Sequence, residues 1–183
     1  MLEVAGETLA LDAGVCEYAS SLVREYQSAQ RHSMLVPTGT PERAHPQNPL
    51  PFDIRPQAEG DHTFFRAEVD LTPGWDGYYE FWKRRWDSPT PDTLIITDEY
   101  ALAQGDGVDF LWQTRHPVTI EGNTIRLHAK RSVLSIEIPS GCTARVDALP
   151  LHKSDKTQQR IVIHSSALRG TLQVIACWEL KKV

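Results

Sequence analysis

The chain has 183 residues, with 19 Lys and Arg against 24 Asp and Glu and a formal net charge of −5, and single domains usually run to about 100–200 residues. Its 40% hydrophobic and 23% charged residues match a folded globular chain and exclude a disordered one. The acidic balance and the lack of a long basic run argue against nucleic acid or an anionic membrane surface as partner, and no stretch of about 18 apolar residues is present to span a bilayer.

Met1-Leu2-Glu3-Val4-Ala5-Gly6 lacks the charged start and apolar run of a signal peptide. Residues 8–12 alternate as a half-buried strand does. Residues 20–31 are the one plausible helix, with Leu22, Val23, Tyr26 and Ala29 near a common face. Pro37, Pro41, Pro46, Pro49, Pro51 and Pro56 then mark a long exposed loop, because proline cannot donate to a strand ladder. Alternation returns at 63–69, and Leu94-Ile95-Ile96 reads as a fully buried strand. Thr124-Ile125-Arg126-Leu127-His128, residues 133–138 and Arg160-Ile161-Val162-Ile163-His164 each put their apolar side chains on one face. In 170–180, Leu172, Val174, Ala176 and Trp178 do the same. Glu121-Gly122-Asn123 is a tight-turn signal between two such runs. The fold class expected is all-β: an antiparallel β-sandwich with one short helix and a long Pro-rich loop.

Cys16, Cys142 and Cys177 are odd in number, widely spaced and without a CxxC pair, so they read as buried free thiols. Paired carboxylates, a nucleophile elbow, a phosphate-binding glycine loop and HExxH are all missing. Asp12 at a strand end before Gly14 and His32 before a strand have ordinary readings as turn-former and packed histidine, which on spacing alone outweigh a shared metal site. Trp75, Trp82 and Trp86, interleaved with Tyr78, Tyr79, Lys83, Arg84 and Arg85, admit two readings. Trp82, Arg84 and Arg85 are candidates for a sugar-stacking platform with cations for uronate carboxylates. The competing reading, which carries more weight, has the aromatics filling the core while the basic side chains point outward. His128, His152 and His164 need no special role.

Leu11, Asp12, Gly14, Tyr18 and His32 together resemble the "(L)LxDxG…Y…(a)HN(T)" block of the heparinase II/III-like polysaccharide lyases. The resemblance continues, in the same order, through Ala67-Glu68-Val69-Asp70, residues 79–85, Thr93-Leu94-Ile95-Ile96-Thr97-Asp98, Trp112 to His116 with Pro117, and Ile120-Glu121-Gly122-Asn123. It implies that residues 1–183 form a single C-terminal β-sandwich domain of a lyase that cleaves uronate-containing polysaccharide by β-elimination. It also implies a zinc ion, for which Asp12 and His32 would be two of three protein ligands. The family's third ligand, a histidine of an upstream His-x-His element, falls before Met1, so the chain reads as cut.

The family's catalytic Asn and Tyr come from a helical toroid, and its catalytic His comes from the same upstream element. No catalytic residue is therefore assigned in this chain, and the isolated chain is expected to be inactive, with the toroid as its missing partner and an acidic polysaccharide as ligand. Ser33 and Met34 stand where the family has Asn and Thr, so the hydrogen bonds of that loop should differ, and His45 of the Pro-rich loop is a possible substitute ligand. A periplasmic or secreted location is implied by resemblance only. The alternatives are a free-standing carbohydrate-binding module and a purely structural sandwich.

Overall fold

A computed structural model describes residues 1–12, 18–41, 53–61, 63–151 and 157–182. Gly14, Cys16, His45, His152 and the middle of the Pro-rich segment lie outside the described residues. The fold is an all-β sandwich of antiparallel sheets. In chain order the strands are β1 (Leu2–Val4), β2 (Glu7–Ala10), β3 (Leu35–Thr38), β4 (Gln57–Gly60), β5 (Phe65–Asp70), β6 (Tyr79–Thr90) and β7 (Thr93–Leu102). There follow β8 (Gly107–Thr114), β9 (Val118–Glu121), β10 (Thr124–His128), β11 (Ser132–Glu137), β12 (Thr143–Pro150), β13 (Thr157–Ser165) and β14 (Arg169–Leu180).

An eight-stranded sheet has the order β4-β5-β6-β7-β14-β11-β10-β9, a four-stranded sheet the order β12-β13-β8-β3, and β1 pairs with β2 in a hairpin. The alternating runs of the sequence become β10, β11, β13 and β14, whose inward side chains meet those of β6, β7 and β8 in a single core cluster that includes Trp82, Tyr100, Phe110, Trp112, Leu134 and Ile163. Such two-layer packing lets each sheet bury one face. Every residue of β8 is buried, since one face lies on the core and the other is partly roofed by the segment before β3.

The helix expected over 20–31 is broken in two. A single turn, α1 (Val23–Tyr26), is followed by a 3-10 turn at Ala29–Arg31. Ser28 between them is extended (φ −81°, ψ 147°), and its hydroxyl accepts from the amide of Gln30, so a new cap interrupts the helical path. Pro37 belongs to β3 rather than to a loop. It pairs with Val108 of β8 and lies itself on β3, the outer strand of the small sheet, where a missing amide donor costs no ladder bond. Among the described cysteines the buried-thiol reading is also corrected: Cys142 is half-buried and Cys177 is exposed, because Cys177 sits on the outward parity of β14.

Candidate functional site

The Asp12 and His32 segments are brought together by β8. The amide of Leu11 donates to the carbonyl of Gln113 at 2.9 Å, carrying Asp12 past the end of the small sheet. From the other side the Gln113 side-chain amide donates to the carbonyls of Gln30 (3.1 Å) and His32 (3.3 Å), holding the 3-10 turn down. Ser33 joins the two: its hydroxyl donates to the carbonyl of Leu11 and accepts from the amide of Gln113. Ser33, at the departure from the family pattern, thus closes the loop with its own pair of bonds. Gln113 was not singled out in the sequence; the only signal was an amide side chain inside an otherwise apolar run.

His32 Nδ1 lies 2.7 Å from Asp12 Oδ2, and His32 Nε2 lies 3.2 Å from the carbonyl of Tyr26. A backbone carbonyl on one ring nitrogen orients the imidazole and leaves the other nitrogen facing the carboxylate, as in histidines that bind metal through one nitrogen and are held by a hydrogen bond at the other. Carboxylate oxygen and imidazole nitrogen are both zinc donors, and each would need to sit about 2.0–2.2 Å from the ion, so the pair must part slightly to admit one. The donor chemistry fits zinc while the ligand count falls short: no group of three or more His, Cys, Asp or Glu is gathered among the described residues.

The Trp82, Arg84 and Arg85 platform is not formed on the surface. Trp82 is fully buried and packs against Trp75 and Tyr79 at ring-centroid distances of 5.5 and 5.1 Å. Trp82 and Arg84 share the inward parity of β6. The Arg84 guanidinium is buried and paired with the fully buried Asp98 through Nε to Oδ1 and Nη2 to Oδ2, both at 2.7 Å, while Trp82 Nε1 donates to Oδ1 at 2.6 Å. The expectation that basic side chains point outward holds for Lys83 and Arg85 and fails for Arg84. Arg85 retains partial exposure and pairs with Asp87 at 2.7 Å. Among the tyrosines, Tyr26 and Tyr79 are buried and Tyr18 is exposed. Burial, reinforced by the Asp98 carboxylate, pushes the Tyr79 phenol far above its ordinary value, and its hydroxyl donates to the carbonyl of Leu35; it is a structural group, not a base.

No family model matches the chain, and no curated protein sequence matches it. Solved structures do. A heparan sulfate lyase from Pedobacter heparinus superposes with a TM-score of 0.69 at 14% identity, covering 96% of this chain and 29% of that one. A heparinase III superposes with a TM-score of 0.69 at 10% identity, covering 95% and 28%. A further heparinase III gives 0.62 at 13% identity, covering 94% and 28%. At these identities the likeness is one of fold: the chain is a β-sandwich similar to the one in these lyase structures, and it spans under a third of the length of the proteins it matches.

Proposed function

We propose that the chain is the β-sandwich domain of a polysaccharide lyase acting on uronate-containing polysaccharide, with Asp12 and His32 as two ligands of a zinc ion. The observation that carries this reading is the contact between Asp12 and His32, twenty positions apart, on a sandwich that matches lyase structures over nearly its whole length. Eliminative cleavage removes the proton beside the uronate carboxylate, breaks the neighbouring carbon–oxygen bond and returns a proton to the leaving oxygen, and it needs the carboxylate neutralised throughout. A zinc ion supplies electrostatic stabilisation and holds its ligands in place when bound. This chain's own part is to orient His32 through the Tyr26 carbonyl and to fix the Asp12 segment through Ser33 and Gln113. The groups that transfer protons belong to a helical partner domain, so the 183-residue chain alone is expected to release no unsaturated product.

Zinc titration tests the reading. A ligand present at one hundred times its dissociation constant stabilises a fold by about 2.7 kcal/mol, which for a chain of this size raises the melting temperature by roughly 5–10 °C. That is the rise for a complete site; with two protein ligands the chain as it stands should show a smaller zinc-dependent rise, lost in D12N and in H32Q. A melting curve indifferent to zinc in all three proteins would remove the metal, and with it the main support for the lyase reading.

A further inference from the structure

We propose that a second polar cluster, Asp109, His164 and Arg145 on the outer face of the four-stranded sheet, is a binding site for the carboxylate and ring hydroxyls of a single uronate unit; the sugar class rests on the proposed function above. Register places Thr143, His164, Asp109 and Val36 in one row across β12, β13, β8 and β3, with Arg145 two positions along β12 from Thr143. Thr143, His164, Asp109 and Arg145 line a concavity of about 480 Å³, with Thr38, Gly39 and Asp106 as its opposite rim.

Three features mark it as a built site rather than an ordinary sheet face. First, the Asp109 carboxylate is 9% exposed, while the groups it holds reach solvent: His164 is 36% and Arg145 53% exposed. Burying a carboxylate costs free energy unless it is paired, and the partners here are two groups whose outer ends face the concavity. Second, Asp109 Oδ1 lies 2.8 Å from His164 Nδ1. That bond occupies Nδ1, turns Nε2 outward and fixes the ring, as a carboxylate does for an orienting histidine. Among the described residues His164 has no other hydrogen bond. Arg145 Nη2 reaches Asp109 Oδ2 at 3.3 Å and its Nε lies 3.4 Å from Asp147 Oδ1, which leaves Nη1 and the second Nη2 hydrogen to face a ligand.

Third, two glycines make the shape possible. A Cβ at Gly107 would stand 2.5 Å from the carbonyl oxygen of Ser165 and 3.1 Å from Cε1 of His164, so only glycine lets β13 and the imidazole lie this close to β8. At Gly39 (φ +70°) a Cβ would meet the Asp106 carboxylate at 2.7–2.8 Å. That carboxylate, accepting from the Thr38 hydroxyl at 2.6 Å, forms an acceptor wall facing the donors.

The concavity therefore presents the Arg145 guanidinium as donor, with His164 Nε2 and the Asp106 carboxylate as acceptors. A uronate ring carries the complement: a carboxylate for Arg145, a hydroxyl that can donate to the outward Nε2 of His164, and further hydroxyls that can donate to Asp106. The cluster shares no residue with the Asp12–His32 pair.

The test is a titration of the isotopically labelled chain with glucuronate, reading the imidazole signals of His164 and His32, alongside glucose and a uronate-containing hexasaccharide. Glucuronate should perturb His164 and leave His32 unmoved, and glucose should do neither. R145Q should weaken glucuronate binding about tenfold or more, as expected for losing a charged hydrogen bond, and H164Q by less, each measured on protein that circular dichroism shows to be folded. Equal response to glucose, or undiminished binding by R145Q, overturns the carboxylate assignment. Hexasaccharide binding that bypasses His164 overturns this site and leaves the proposed function standing. Glucuronate at His164 with no zinc response at Asp12 and His32 keeps the site and removes the lyase reading. Silence toward both sugars overturns the site.

Discussion

Asp98 accepts three hydrogen bonds from two side chains of one strand, Trp82 and Arg84, with no exposure of its own. The Arg84 guanidinium also lies over the rings of Trp82, Trp86 and Phe110 at 5.3, 5.9 and 5.5 Å from their centroids, so the charge is compensated by a carboxylate on one side and by aromatic faces on the other. Removing one member leaves the other charge stranded. Asp98→Ala should cost about 3–5 kcal/mol, the usual penalty for breaking a buried pair, measured as a fall in the urea midpoint. Asp98→Asn should cost less, because its amide oxygen can still accept from Trp82. At this scale the sequence was only half legible. Asp98 fell inside a recognisable motif and Arg84 inside an aromatic cluster, but nothing in the order of residues says that an arginine takes the inward parity and meets an aspartate on the next strand.

Among the elements, the join between β8 and the segment that precedes β3 matters most for the Asp12–His32 pair. Gln113 on β8 donates to two carbonyls of that segment and its own oxygen accepts from Gln158 at 2.6 Å, so one buried amide ties β8, β13 and the 3-10 turn together. Gln113→Ala would leave these groups unpaired, at about 1–3 kcal/mol for a buried orphan. Amide exchange over 29–33 should quicken well beyond the change seen in β13 and β14, and a uniform change across the chain would show that Gln113 has no local role. The alternating strands could be read from period two because one side of each is wet. The strand β8 could not, being buried on both sides, and the intended helix failed because Ser28 competes for the backbone as a cap.

For the whole molecule, the order of the large sheet sets a condition on folding. The last strand, β14, lies between β7 and β11, pairing Arg169–Cys177 with residues 93–101 and Ala176–Leu180 with residues 132–136. The β4–β7 and β9–β11 parts of the sheet are therefore joined only through β14, and the facing edges of β7 and β11 stay unpaired until it is in place. Deleting 169–182 should abolish the cooperative unfolding transition seen by circular dichroism; a truncated chain that still melted sharply would mean that the two halves are stable apart. The sandwich class was legible from composition, turns and alternation. The split into eight and four strands was not, since it depends on pairings between strands far apart in sequence, which local pattern does not encode. Likewise the Asp12–His32 contact was suggested by resemblance, whereas the Asp109–His164–Arg145 cluster emerges only when three separate strands are set in register.

The stacked and edge-on rings of Trp75, Tyr79 and Trp82, with Tyr100 at 6.5 Å from Tyr79, also have an optical meaning. Chromophores held this close in fixed, non-parallel orientations do not absorb independently; their transitions mix and give paired bands of opposite sign in the far ultraviolet. Because the rings come from the 3-10 turn Thr72–Trp75 and from the neighbouring strands β6 and β7, the chain carries its own spectroscopic signature of the β6–β7 pairing and the turn packed on it, with no label added.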